Sequence, residues 1–308
     1  MGQIWACVSE NNPGSGDSMI FRWQNTGQAR TVGGFLTWLG CGKHGLRRIK
    51  RIGECLIDQR AVRLTAPFEN GQWLTLVLPD EVAALPISVS QQPLAILWEN
   101  QHWLAVNKPI RLASVPGPRV GADHVVSRAK GHGVPKPHLV TRLDFDTSGV
   151  LLIAKHRLGQ TLLAANRFHP LLHKEYIAWV TGETPLRGQI TLPLRHGPGD
   201  YRQQVLVTGQ RAETHYQRLT YSPGLQASLV KIQLLTGRTH QIRAHFAALD
   251  HPLLGDALYD GPLNRGIQRP ALHAVQLSFQ DPFDFSQRRL QAPLPADLQA
   301  LKNTSSEC

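Results

Sequence analysis

Two aspartates stand one residue apart in the stretch 142-RLDFDTSG-149, with Arg142 two positions before Asp144. Carboxylates so spaced could hold a divalent cation, divide acid and base work, or contain one working carboxylate beside a turn residue. A cation site needs further oxygen ligands, and the neighbouring Arg142 charge opposes it, so no metal is expected. An acid and base that flank a substrate stand farther apart than adjacent turn positions allow. The remaining reading gives the chemistry to Asp144. It leaves Asp146, Thr147 and Ser148 to bond local backbone before Gly149 enters a strand.

Two further stretches hold groups able to assist such a carboxylate. In 173-HKEYIAWVTG-182, Tyr176 opens an alternating strand with Ile177 and Trp179; a lone strand tyrosine is most often a core or rim residue. In 234-LLTGRTHQIRAHFAALDHPLLGDALYDG-261, a strand, a turn at Gly237 and a helix capped by Thr239 are expected. The free N–H groups of that helix start, with Arg238 and Arg243, would suit an anion. His240 and His245 are five apart, which does not bring them together as ligands on a helix, and packing suffices to explain them.

These residues need a scaffold, and the chain outlines one. Short apolar strands dominate after residue 94: AILWEN and HWLAVNK as a hairpin, then GVLLIAK, EYIAWVTG, YRQQVLVTG, ETHYQRLTYS and ASLVKIQLLTG. RLGQTLLAANRFH and THQIRAHFAAL read as helices. Many hairpins with few helices imply an α+β domain with a mixed, mainly antiparallel sheet, over residues 94–290.

Upstream, residues 35–82 form a compact basic unit. Leu46, Ile49 and Ile52 recur at helical spacing, Arg47, Arg48, Lys50 and Arg51 crowd the remaining surface, and Gly53 ends the helix. ECLIDQRAV and WLTLVLP follow as strands around the turn Glu69-Asn70-Gly71. Residues 1–34 are expected as an extension, partly disordered, 83–93 as a linker with Pro86 and Pro93, and 291–308 as a tail ending in a frayed NTSSEC.

With 33 Lys and Arg against 22 Asp and Glu, the formal charge of +11 favours a polyanionic partner such as nucleic acid, and 42% apolar residues argue for a folded chain. The four cysteines, Cys7, Cys41, Cys55 and Cys308, have no metal-ligand spacing and are expected as reduced thiols. No apolar run approaches the roughly 18 residues of a membrane span, and residues 1–16 lack a signal-peptide pattern. A cytoplasmic monomer is expected, with no membrane partner.

The three stretches together resemble the RluA family of RNA pseudouridine synthases. Its first motif, HRLDxxTSGLLLxAK, is matched by TRLDFDTSGVLLIAK at 141–155, and its KxY by Lys174-Glu175-Tyr176. TGRTHQIRxH and HPxxGDxxY are matched by 236-TGRTHQIRAH-245 and 251-HPLLGDALY-259, NKP by Asn107-Lys108-Pro109, and LHA by Leu272-His273-Ala274. The resemblance spans residues 94–283 in the family's order. It implies a sheet with a central cleft, and an enzyme that detaches uracil from its ribose in RNA, rotates it and reattaches it through carbon 5, without cofactor.

Residue by residue, the resemblance makes Asp144 the essential carboxylate and Tyr176 the ring that stacks on uracil and assists proton removal from carbon 5. Arg243 becomes the cation that keeps the acid ionised. Arg142 becomes the residue that holds the gap left by a flipped nucleotide, and Arg238, His240 and Ile242 become contacts to RNA. The family usually has histidine where this chain has Thr141, which can hydrogen bond but neither stack nor titrate.

The basic unit resembles the small RNA-binding domain shared by a ribosomal small-subunit protein and tyrosyl-tRNA synthetases, which would place Arg47, Arg48 and Lys50 on RNA. Large-subunit ribosomal RNA is the first substrate implied and transfer RNA the second. A non-catalytic RNA-binding protein and a metal-dependent transferase are the competing classes.

Overall fold

The computed structural model describes residues 18–81, 88–117, 120–164, 172–197 and 202–304. Its first unit contains β1 (Ser18–Gln24), α1 (Val32–Trp38), α2 (Lys43–Ile52), β2 (Glu54–Ile57), β3 (Arg60–Val62) and β4 (Trp73–Pro79), with strands in the order β1-β4-β2-β3. Thr31 caps α1 by accepting from Gly34 N, and α2 ends at Gly53, whose N–H returns to Ile49 O at 2.8 Å. ECLIDQRAV, expected as one strand, is a hairpin. Asp58 and Gln59, at φ 45° and 71°, make the two-residue turn whose twist suits paired strands.

The segment expected as an extension before residue 35 supplies an edge of this sheet from residue 18 onward. β1 pairs with β4 from Ser18↔Pro79 to Gln24↔Trp73, because Phe21 and Trp23 alternate into the core. Residue 82 of the basic unit and residues 83–87 of the linker lie outside the described residues. The unit does not rest on a tether alone, since Phe21 and Trp23 share one apolar cluster with Trp103, Phe279 and Phe283. Trp23 Nε1 donates to Pro282 O at 3.0 Å, and the Phe21 and Trp23 rings stack on Phe283 at 5.7 and 6.0 Å.

The second unit runs β5 (Ala95–Glu99), β6 (Trp103–Lys108), α3 (Val125–Gly131), β7 (His138–Leu139), β8 (Ser148–Ala154), α4 (Arg157–Ala164), β9 (Leu172–Thr181), β10 (Arg187–Ile190), β11 (Leu194–His196), β12 (Gln203–Val205), β13 (Thr214–Ser222), β14 (Ala227–Leu234), α5 (Gln241–Ala247), β15 (Leu272–Gln280), β16 (Gln287–Gln291) and α6 (Ala296–Thr304). Its main sheet follows β10-β13-β14-β9-β15-β8-β6-β5, with β16 on β15 and β7 on β8. Among the described residues only β15 and β8 pair parallel, so this is the mainly antiparallel α+β architecture the strand pattern implies.

Several boundaries differ from expectation. The described residues of YRQQVLVTG hold only the short β12, because Gly209 N turns back onto Leu206 O at 2.8 Å. Residues 165–169 of the helix expected over 157–169 lie outside the described residues, as do 305–308 of the C-terminal segment. That segment is more than a tail: α6 buries Leu298 and Leu301 against Trp179 and Leu254. Among the described residues, no helix is long and apolar enough to cross a membrane.

Candidate active site

Asp144 lies in the loop between β7 and β8, held from several sides. Ser114 Oγ donates to Leu143 O at 2.6 Å and accepts from Leu143 N at 3.1 Å. Thr147 N closes a turn on Asp144 O at 3.1 Å. The fully buried Lys108 spends its three ammonium protons on Pro109 O, Leu112 O and Phe145 O at 2.9, 2.8 and 3.1 Å. Burial pushes that ammonium down to about 7, while Asp144 and Asp146 pull the other way. Gly149, at φ +117°, lets the loop enter β8 against β15, where a Cβ would fall 2.2 Å from Ala274 O.

The expected bonds from the side chains of Asp146, Thr147 and Ser148 to local backbone are not the ones that hold this turn. No hydrogen bond joins the Asp146 carboxylate to a described residue, Thr147 Oγ1 is buried without a partner, and Ser148 Oγ pairs with His273 Nδ1 at 2.9 Å. Fixation comes instead from Lys108 at the end of β6 and Ser114 in the loop that follows it. Thr141 is buried at 7% exposure, and its Oγ1 accepts from Leu152 N at 3.0 Å, so its hydroxyl serves the β8 backbone.

Tyr176 sits inside β9 rather than at its start, paired with Ile232 on one side and Ala274 on the other. Its ring packs with Ile242 and Leu272, whereas Ile177 and Trp179 belong to the opposite face. Burial, then the Asp144 charge, push the phenol well above its ordinary value, so it stays protonated at neutral pH.

Arg243 projects from α5 and brings Nη1 to 3.6 Å from Asp144 Oδ2. Its strongest partner is another residue: Nε and Nη2 both reach the fully buried Asp256 carboxylate at 2.7 Å. Burial opposes the guanidinium charge, and Asp256 with Asp144 more than offsets it, so its pKa is raised. Below this pair, the Tyr259 ring lies 5.1 Å from Arg243 Cζ.

The start of α5 differs from the reading that gave Thr239 the cap. His240 occupies that position in the left-handed region, φ 52°, without a capping side chain. Gln241 does the local work, its Oε1 accepting from Arg238 N at 3.0 Å and Thr236 Oγ1 at 2.8 Å. The twist aims His240 inward, with Nε2 at 4.0 Å from Asp144 Oδ2 and Nδ1 at 3.4 Å from the Tyr259 hydroxyl. Burial lowers the His240 pKa, against the pull of Asp144. His245 is a packing histidine, bonded to Thr214 Oγ1 and Leu192 O at 2.9 and 2.8 Å.

One cavity of about 550 Å3 gathers Asp144, Tyr176, Arg243, Arg142, Arg238, His240 and Ile242, a size that admits a nucleoside. Ile242, Leu272 and the Tyr176 ring are apolar walls, Asp144 and Arg243 stand together in the same lining, and Arg142 and Arg238 are exposed. Arg47, Arg48 and Lys50 lie elsewhere, on α2. Arg47 and Lys50 are exposed there, and Arg48 is half-buried near the Glu81 carboxylate. The sequence reading passed over Asp256, Tyr259 and Lys108. All three stood inside motifs already quoted, GDALY and NKP, but only the fold reveals which ion they face.

The chain matches the family model described as RNA pseudouridylate synthase over residues 102–248. It is 35% identical over 279 residues to the uncharacterized RNA pseudouridine synthase YjbO of Bacillus subtilis (strain 168), covering 88% of this chain and 98% of that protein. It is 36% identical over 269 residues to the ribosomal large subunit pseudouridine synthase D of Xylella fastidiosa (strain Temecula1), covering 80% and 79%. Human RNA pseudouridylate synthase domain containing 4 shares the fold at TM-score 0.54 and 26% identity, covering 69% of this chain and 93% of that one. Fold and matched region define an RNA-modifying isomerase. The chain belongs to the RNA pseudouridine synthases, of the RluA type, which convert uridine to pseudouridine in RNA.

Proposed function

We propose that this enzyme isomerises uridine in large-subunit ribosomal RNA with Asp144 as its essential carboxylate. The observation that carries the chemistry is the Asp144 Oδ2 to Arg243 Nη1 approach of 3.6 Å within the cavity that Tyr176 also lines. The ribosomal assignment is supported by the similarity to the Xylella protein, whose name carries that substrate.

A uridine inside folded RNA reaches Asp144 only by leaving its stack, at a cost of a few kcal/mol. Arg142, exposed beside the cavity and without a hydrogen-bond or ion-pair partner among the described residues, occupies the vacated space. The Asp144 carboxylate then promotes cleavage of the N1–C1′ bond. The freed uracil rotates against the Tyr176 ring, C5 bonds to C1′, the C5 proton leaves, and N1 gains one. Arg243 stabilises the carboxylate, held in place by Asp256. Because its phenol is kept protonated, Tyr176 serves as wall and hydrogen-bond donor and not as the resting-state base.

The β1–β4 unit is an RNA-binding domain of the ribosomal-protein type, a reading supported by two helices followed by a hairpin and by exposed Arg47 and Lys50. Mapping pseudouridines in RNA from cells lacking the gene tests the substrate. A lost site in large-subunit ribosomal RNA is expected; a lost site in transfer RNA alone would overturn the assignment.

A further inference from the structure

Phe145 follows Asp144 directly and is 53% exposed, yet it lines the Asp144 cavity. A single exposed apolar side chain usually needs no explanation. Trp38 is the other large exposed aromatic among the described residues, and it leans on Phe35 and Phe285. Phe145 makes no ring contact with a described residue.

Three features set this ring apart. Its backbone is rigid, because Phe145 O accepts from buried Lys108 Nζ at 3.1 Å and the Asp144–Thr147 turn is closed by a 3.1 Å bond. A ring on a fixed base loses little freedom on contact. The exposed cations Arg142 and Arg238 line the same cavity, so an RNA strand drawn to them passes Phe145. Finally, Thr141 offers no flat face, its hydroxyl being buried against Leu152 N.

We propose that Phe145 is a stacking platform for the unpaired RNA base next to the target uridine. Flipping one nucleotide deprives its neighbour of a stacking partner, and an aromatic face replaces that contact for any base. Phe145 thus favours the opened RNA without touching the reacting atoms. This inference rests on the pseudouridine synthase reading of the Asp144 cavity.

The test uses the full chain and [5-³H]uridine-labelled total RNA from cells lacking the gene, with tritium release followed against RNA concentration for Phe145→Tyr, Phe145→Leu and Phe145→Ala. Tyrosine keeps the flat ring and should keep the half-saturating RNA concentration within about twofold. Leucine keeps apolar bulk without a π face, and with alanine should raise that concentration roughly 5- to 150-fold, the range of one lost base–aromatic stack. Release at saturating RNA should fall far less, and melting temperatures should stay unchanged, as for surface substitutions. Leucine matching wild type would overturn the platform in favour of simple apolar contact, and a loss confined to the saturated rate would overturn it in favour of a catalytic role. Absence of release by the wild-type enzyme would overturn the functional reading itself, a result read without any variant.

Discussion

Asp256→Asn preserves side-chain shape and removes the charge that anchors Arg243. In the native site the Asp256 carboxylate takes two Arg243 N–H groups at 2.7 Å with no exposed surface. Asparagine can accept one of these bonds and turns an N–H₂ toward the other donor. The buried Arg243, 8% exposed, is then left with Asp144, 3.6 Å away, as its remaining carboxylate. Removing one partner of a buried pair costs about 3–5 kcal/mol. An unfolding entropy near 2.1 cal/mol/K per residue makes that a fall of about 5–8 °C in a chain of this length. Arg243 also loses its position relative to Asp144, and a shift of about 1 Å at a reacting group can cost 100-fold in rate. Circular dichroism melting and tritium release from uridine-labelled RNA measure the two effects. Pairing Asp256→Leu with Arg243→Met should recover most of the stability and none of the activity, since an apolar pair can replace a buried ion pair. Asp256→Asn melting like wild type with a rate within about threefold would refute the positioning role.

Glu81 bonds His138 Nε2 at 2.8 Å and Arg157 N at 2.6 Å. Although burial pushes its carboxyl up, these partners hold it at about 2. Glu81 therefore adds stability above the unfolded value of about 4.5 that is lost as pH falls toward 2; Glu81→Gln should cost up to about 3 kcal/mol by urea unfolding at pH 7, with the difference vanishing near pH 2. Lys108→Met strands the carbonyls of Pro109, Leu112 and Phe145, each worth about 1–3 kcal/mol when unpaired, and should unseat the Asp144 loop and abolish release. With Lys108 held at about 7, the unfolded chain binds the extra proton from there to about 10.5, so wild type should gain on Lys108→Met in urea midpoint as pH rises across that window; a constant gap would refute it. Arg47→Ala with Lys50→Ala should weaken RNA binding and flatten its salt slope by about one per lost phosphate contact, leaving the saturated rate intact; an unchanged slope would show that α2 is merely solvated.

The fold class was legible in period-two strands, whereas the seven residues that line one cavity could be named together only through the resemblance of their contiguous motifs to a known family. What sequence could not show was the partner of each charge. Arg243 reads as the mate of Asp144, yet its two short bonds go to Asp256, thirteen positions on, and only the return of the chain between α5 and the 3-10 turn Ala257–Tyr259 brings them together. The cap of α5 failed for a related reason. Thr239 has the right chemistry, but Gln241 satisfies the backbone there and leaves His240 in the left-handed conformation that faces Asp144. The edge strand β1 was missed because its two core contacts, Phe21 and Trp23, lie in a short alternating run ahead of any basic helix.

The central claim is that the two aspartates of RLDFDTSG are unequal. Tritium release from carbon-5-labelled uridine in RNA, run on wild type, Asp144→Asn and Asp146→Asn with and without chelator, tests it directly. Release should disappear in Asp144→Asn, persist in Asp146→Asn, and withstand chelation in both wild type and Asp146→Asn. Equal loss in the two variants, release retained without the Asp144 carboxylate, or release abolished by chelator would contradict it.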